Sequence, residues 1–180
     1  SNSTGNPFGS ASDLTFTGSG DVNGMTVSFF AAIDAGGGAY ASNSFSVDMG
    51  DMGKIKFDQG VGGNGIESID DKSPTAWEES WGAGLNPGVK LVGGVGSSMN
   101  IQYTTPTVWG SKFVIAYAPE VGASDTNDKA TSGAVSNDLG KGYDAVVHIN
   151  PSLGTEILSG LNVFVAASTM EEHQEHTTEN

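Results

Sequence analysis

The residues best placed to do chemistry fall in one stretch, GVGGNGIESIDDKSPTAWEESWGAGLNP, at positions 60–87. It holds the carboxylates Glu67, Asp70, Asp71, Glu78 and Glu79 among the apolar Ile66, Ile69, Trp77 and Trp81. Glu78 and Glu79 beside Trp77 and Trp81 suggest a sugar-binding or glycoside-cleaving patch. A glycosidase, however, needs two carboxyl groups facing each other across about 5–10 Å, and neighbours on an extended chain point apart. The run PTAWEESWG also suits a short surface helix, with Thr75 as N-cap and Glu78 completing a capping box. Elsewhere, Asp125, Asn127 and Asp128 begin like a calcium loop but lack the glycine and terminal glutamate of an EF-hand. His173 and His176 with Glu172 and Glu175 offer weak ligands for a divalent metal, although a polar loop or tail explains them as well. No metal, cofactor or catalytic residue is assigned. The chain has no G-x-S-x-G, H-E-x-x-H or Walker loop, and it does not read as an enzyme.

The elements that must position these groups read as strands of period two. Leu14 and Phe16 alternate with Thr15 and Thr17 ahead of a turn at 20–24. From Met25 to Asp34, Met25, Val27, Phe29, Ala31 and Ile33 form one face, and Phe30 is an unexplained apolar residue on the other. Phe45, Val47 and Met49 oppose Ser44, Ser46 and Asp48. After a tight turn at 50–53, Ile55 and Phe57 oppose Lys54, Lys56 and Asp58, followed by Gln59. Residues 88–96 read as a strand bent at Gly93-Gly94. Asn100, Gln102 and Thr104 then alternate with Ile101, Tyr103 and Thr105, and Lys112, Val114 and Ala116 with Phe113, Ile115 and Tyr117. Two later strands cover 143–150, where His148 lies on the more polar face, and 161–168. Stretches 60–87 and 120–142 read as long loops, and 170–180 as a loop or disordered end. Loops above about 15 residues are uncommon unless functional or disordered.

Composition narrows the class. The chain has 180 residues, 27 of them Gly, and no Cys, which suits a turn-rich all-β protein without disulfides. With 21 acidic against 7 basic residues the net charge is -14. Nothing here neutralises phosphates, so a nucleic-acid partner is excluded, and cations or basic solutes are favoured. No apolar run suits a transmembrane helix, but a barrel strand needs only about 9–11 alternating residues. The N-terminus shows neither the basic nor the apolar region of a signal peptide, so any such segment is expected to be missing already.

Two stretches resemble a known family. MNIQYTTPTVWGSKFVIAYAPE resembles a hairpin of the Gram-negative general porins, and GMTVSFFAAIDAG followed by SNSFSVDMGDMGKIKFDQ resembles a second porin segment, closest to the alphaproteobacterial form. The likeness runs well over 14–120 and loosely over 140–170, roughly the N-terminal half of such a porin. It implies an antiparallel transmembrane β-barrel in the bacterial outer membrane, of about sixteen strands when complete, about eight of them here. It implies a homotrimer surrounded by lipid that passes small hydrophilic solutes by diffusion. The long loop would fold inward as a constriction carrying Glu67, Asp70, Asp71, Glu78 and Glu79. Lys54, Lys56, Asp58, Gln59, Asn100 and Gln102 would line the pore wall, and Tyr103, Trp109 and Tyr117 would mark the membrane interface. Family arginines opposite the loop have no counterpart at Gln59 or at Gly93-Gly94, and Lys54, Lys56 and Lys90 are the nearby bases. A cation-preferring channel is therefore expected. An eight-stranded barrel is filled by side chains and has no room for the loop, so a partial barrel is expected, unable to conduct alone. The alternative is a secreted or surface β-sandwich adhesin that binds carbohydrate or calcium. It would use the same alternation with its apolar faces buried between sheets.

Overall fold

Residues 14–33, 42–72, 94–96, 98–121, 140–150 and 160–171 are described in a computed structural model. The alternating runs become eight strands: β1 (Leu14–Val22), β2 (Met25–Ile33), β3 (Ser42–Asp48), β4 (Lys54–Gln59), β5 (Asn100–Thr104), β6 (Ser111–Ala118), β7 (Gly142–Ile149) and β8 (Val163–Met170). They form one antiparallel sheet in chain order, with β1 and β8 as its open edges. Seven connections join the strands. Those at 23–24, 49–53, 105–110 and 150–162 join strand ends on one side of the sheet, the first three as short turns. Those at 34–41, 60–99 and 119–141 join the ends on the other side.

Strand register carries the two faces unbroken across the sheet. One row runs Phe29, Phe45, Phe57, Ile101, Tyr117, Tyr143, and the next runs Val27, Val47, Ile55, Tyr103, Ile115, Ala145. On the opposite face Ser28, Ser46, Lys56, Gln102, Ala116, Asp144 and Ser168 align. Exposure is inverted relative to a soluble sheet. Phe45, Ile101 and Ile115 are 45, 49 and 56% exposed, while Asp58, Asn100 and Asp144 are buried. The described residues contain no second sheet over the apolar face, so the sandwich packing that would bury Ile55 and Phe57 is not found among them.

The structure corrects several boundaries. The turn expected at 20–24 shrinks to Asn23-Gly24, with φ of 52° and 80°, because a two-residue turn of this hand lets the ladder run on to Val22 and Met25. Residues 94–96 form a turn rather than the end of a strand, while 88–93, including Lys90, lie outside the described residues. So do Asp34, Thr75, Trp77, Glu78, Glu79, Trp81, the loop at 122–139 with Asp125, Asn127 and Asp128, and the tail from 172 with its two histidines. Gln59 is not on the polar face. Its parity is that of Phe57, and its Oε1 accepts from Asn43 Nδ2 at 2.7 Å at the end of the apolar face.

Candidate functional site

The site begins with a glycine run. After β4 the chain reads Gly60-Val61-Gly62-Gly63-Asn64-Gly65, and all four glycines have positive φ, between 53° and 82°. Glycine reaches this region without a Cβ clash. The run thereby curls back until its backbone amides meet the preceding strand. Asp58 Oδ1 accepts from Val61 N at 3.0 Å and Gly62 N at 3.3 Å. Asp58 Oδ2 is 2.7 Å from Lys56 Nζ, and that same ammonium donates to Asn64 Oδ1 at 2.8 Å. The segment then crosses the polar face as a 3-10 stretch, Gly65–Lys72. Gly65 N donates to Gln102 Oε1 on β5 at 2.8 Å, and Ile66 N donates to Asp144 Oδ2 on β7 at 2.9 Å.

Asp144 fastens the returning end of the same connection. Its Oδ2 also accepts from Val95 N at 3.0 Å. Val95 is fully buried against Ala116, Ala118 and Val121, with Met170 beside them. One carboxylate oxygen thus holds both ends of the stretch between β4 and β5. Its reach depends on two glycines, because a Cβ added at Gly65 or Gly94 would overlap Asp144 Oδ2. Two other buried polar groups complete the floor. Asn100 Nδ2 donates to Ser98 O at 2.7 Å, and Ser168 is the register partner of Asp144.

The expected pore-wall residues Lys54, Lys56, Asp58, Asn100 and Gln102 all share this face. Lys56 and Asp58 neutralise each other, so the wall supplies no free base at that point. Glu67 turns back on its own segment, where Oε2 accepts from Gly63 N at 2.8 Å, instead of projecting over the face. Asp70 and Asp71 lie on the 3-10 stretch, and nothing further is described of their side chains. Tyr103 and Tyr117 are on the apolar face. Tyr103 Oη donates to Met52 O at 2.8 Å at the short-turn end, while Tyr117 packs against Tyr143 toward the other end, centroids 4.9 Å apart and rings tilted by 35°. Trp109 stands in the turn between β5 and β6, 96% exposed with φ of 50°.

Asp144 and Asn64 were not singled out by reading the sequence. The available signals were the glycine run directly after Asp58 and a lone acid on the polar side of an otherwise apolar strand. Among the described residues no three metal-ligating side chains converge. Outside the strands Lys141 pairs with Glu171 at 2.9 Å, and that hydrogen bond, helped by the carboxylate's charge, raises the lysine pKa. Comparison with family models, with curated proteins and with solved structures finds no match, so the chemistry of this face rests on its geometry.

Proposed function

We propose that this chain forms wall strands of a bacterial outer-membrane channel for small hydrophilic solutes. In this reading the apolar face meets lipid, the polar face lines water, and the segment anchored by Asp58 and Asp144 narrows the passage. The inverted exposure across an eight-stranded sheet carries the reading. Soluble monomers rarely leave contiguous apolar patches beyond a few hundred Å² uncovered, and here the apolar rows cross the sheet from β2 to β7. The longest strands, β1 and β2 with 9 residues, span about 30 Å, or about 21 Å of vertical height when tilted by about 45°, near the apolar band of known barrels; the shortest, β5, has 5. Three of the four connections at one end are short turns, while 60–99 and 119–141 at the other are long, an asymmetry usual in such walls, from which 150–162 departs. In lipid the open edges of β1 and β8 must be paired, by further strands or by the edges of a second copy. With a net charge of -14, the channel prefers cations.

The test is Phe57→Lys, placed mid-face on β4. A lysine facing mid-bilayer lipid weakens folding into membranes by about 2–4 kcal/mol, whereas on a water-facing sheet the same change at a 38% exposed position costs little. Folding of parent and variant is compared in lipid vesicles and in detergent-free buffer. A chain that is monodisperse and folded without detergent, and indifferent to the lysine, ends the proposal. Reversal potentials of a conducting assembly showing anion preference would remove the selectivity clause alone.

A further inference from the structure

We propose that Lys112, His148 and Asn150 form a binding station for small oxyanions, carboxylates or phosphates, at the short-turn end of the polar face. Lys112 and His148 are direct cross-strand partners on β6 and β7, on the same face as Asp144. With Asn150, Thr107 and Gly110 they line a cavity of about 340 Å³. Among the described residues Lys112 has no ion pair, unlike Lys56 and Lys141. His148 is held in place from two sides. Its ring stacks on Phe164 with centroids 4.5 Å apart and 12° between planes, and its Nε2 lies 2.8 Å from Asn162 Oδ1. An amide oxygen only accepts, so Nε2 carries the hydrogen toward it. Asn150 Nδ2 donates to the same oxygen at 3.3 Å.

Among the described residues none that lines the cavity is acidic, although the chain as a whole carries -14. The nearest acid along the polar face of β7 is Asp144. The row Val114, Val146, Ala166 stands between it and the pocket, with both valines buried. A lysine and a histidine on one cross-strand rung, facing an open cavity, suit an oxyanion, because the lysine's charge-assisted N–H···O bonds are the strong ones. Chloride, which has no directional acceptor pair, gains less from that arrangement. The acidic charge of the whole molecule opposes the ligand, so binding is weak and suits a solute in passage.

The inference does not need a bilayer, so it can stand or fall apart from the channel reading. The full chain, folded in detergent micelles, is titrated with sodium phosphate and with sodium acetate at ionic strength held constant with chloride. The His148 ring and Lys112 Nζ resonances are followed. Expected is a saturable shift for both anions. Lys112→Met and His148→Phe, the latter keeping an aromatic against Phe164, each weaken binding by about tenfold or more. Lys141→Met, outside the pocket, leaves it unchanged. Spectra of each variant that otherwise overlay the parent show that the fold is kept. A linear drift without saturation, or an equal response in Lys112→Met, overturns the proposal. So does a response only to micelles doped with phosphatidylglycerol, since the ligand is then a lipid headgroup rather than a soluble anion.

Discussion

Replacing Asp144 by alanine releases the inserted segment while leaving the sheet in place. The carboxylate Oδ2 receives two backbone amides, Ile66 N and Val95 N, at a residue 1% exposed. Removing it leaves two N–H groups without an acceptor, at about 1–3 kcal/mol each, or about 2–6 kcal/mol together. Part of this is returned, because the other oxygen, Oδ1, is buried without a hydrogen bond and its desolvation is relieved. A net loss of about 2 kcal/mol or more is expected, close to thirtyfold in a local opening equilibrium. The ladder bonds of β7 to β6 and β8 do not involve the side chain and persist. Native-state hydrogen exchange in detergent micelles reads both quantities at once. The amides of Ile66 and Val95 should exchange at least about thirtyfold faster, while those of β6 and β7 keep their protection. Asp144→Asn should fall between, since an amide oxygen still accepts and its NH2 can turn toward Ser168. If Ile66 and Val95 exchange at parental rates in a folded Asp144→Ala sheet, the carboxylate is not the latch. If protection falls equally everywhere, Asp144 supports the sheet as a whole and not the segment.

Other consequences follow from the same geometry. Gly94→Ala should mimic the loss of Asp144 with the carboxylate still present, by about 1–3 kcal/mol of overpacking, because its φ is 58° and the new Cβ overlaps Oδ2; the readout is again exchange at Val95. Trp109→Asn should strengthen the two-residue turn by about 1 kcal/mol, since Asn-Gly suits positive φ and tryptophan does not, yet weaken partition into lipid vesicles. Protection of the Val108 and Ser111 amides checks the first effect and vesicle co-sedimentation the second, and unchanged partition would remove Trp109 from the membrane interface. The Lys141–Glu171 pair has a raised folded-state lysine pKa. Its contribution is therefore complete below the ordinary lysine value and is lost as pH rises through the raised one. An NMR titration of Lys141 Nζ should show the shift, and Glu171→Gln should abolish it.

The inserted segment works differently from the arrangement the porin likeness implies. There, acids on the loop would face bases on the wall. Here the polar face of the sheet supplies the acids, Asp58 and Asp144, and the segment answers with backbone amides. Amides cannot be titrated and sit on a glycine run that few other residues could follow, so this anchorage survives changes in loop charge. It also removes Lys56 from the field across the face, because that ammonium is engaged by Asp58 and Asn64.

Which side chains share a face could be read from order alone. Period-two alternation is local, and antiparallel pairing of neighbours preserves parity from β1 to β8, so the rows through Phe57 and through Lys56 follow from spacing. Turn chemistry was equally local, as Asn23-Gly24 shows. Gln59 escaped because composition suggested polar where parity demanded the other side. The latch was beyond reach for a different reason. Ile66 and Asp144 are 78 positions apart, and no pattern within either stretch encodes the other. Only when three successive strand pairings bring β4 and β7 to one face does a lone aspartate meet the amide that follows a glycine run. Periodicity decides what points where along each strand, and the distance across the sheet decides what it meets.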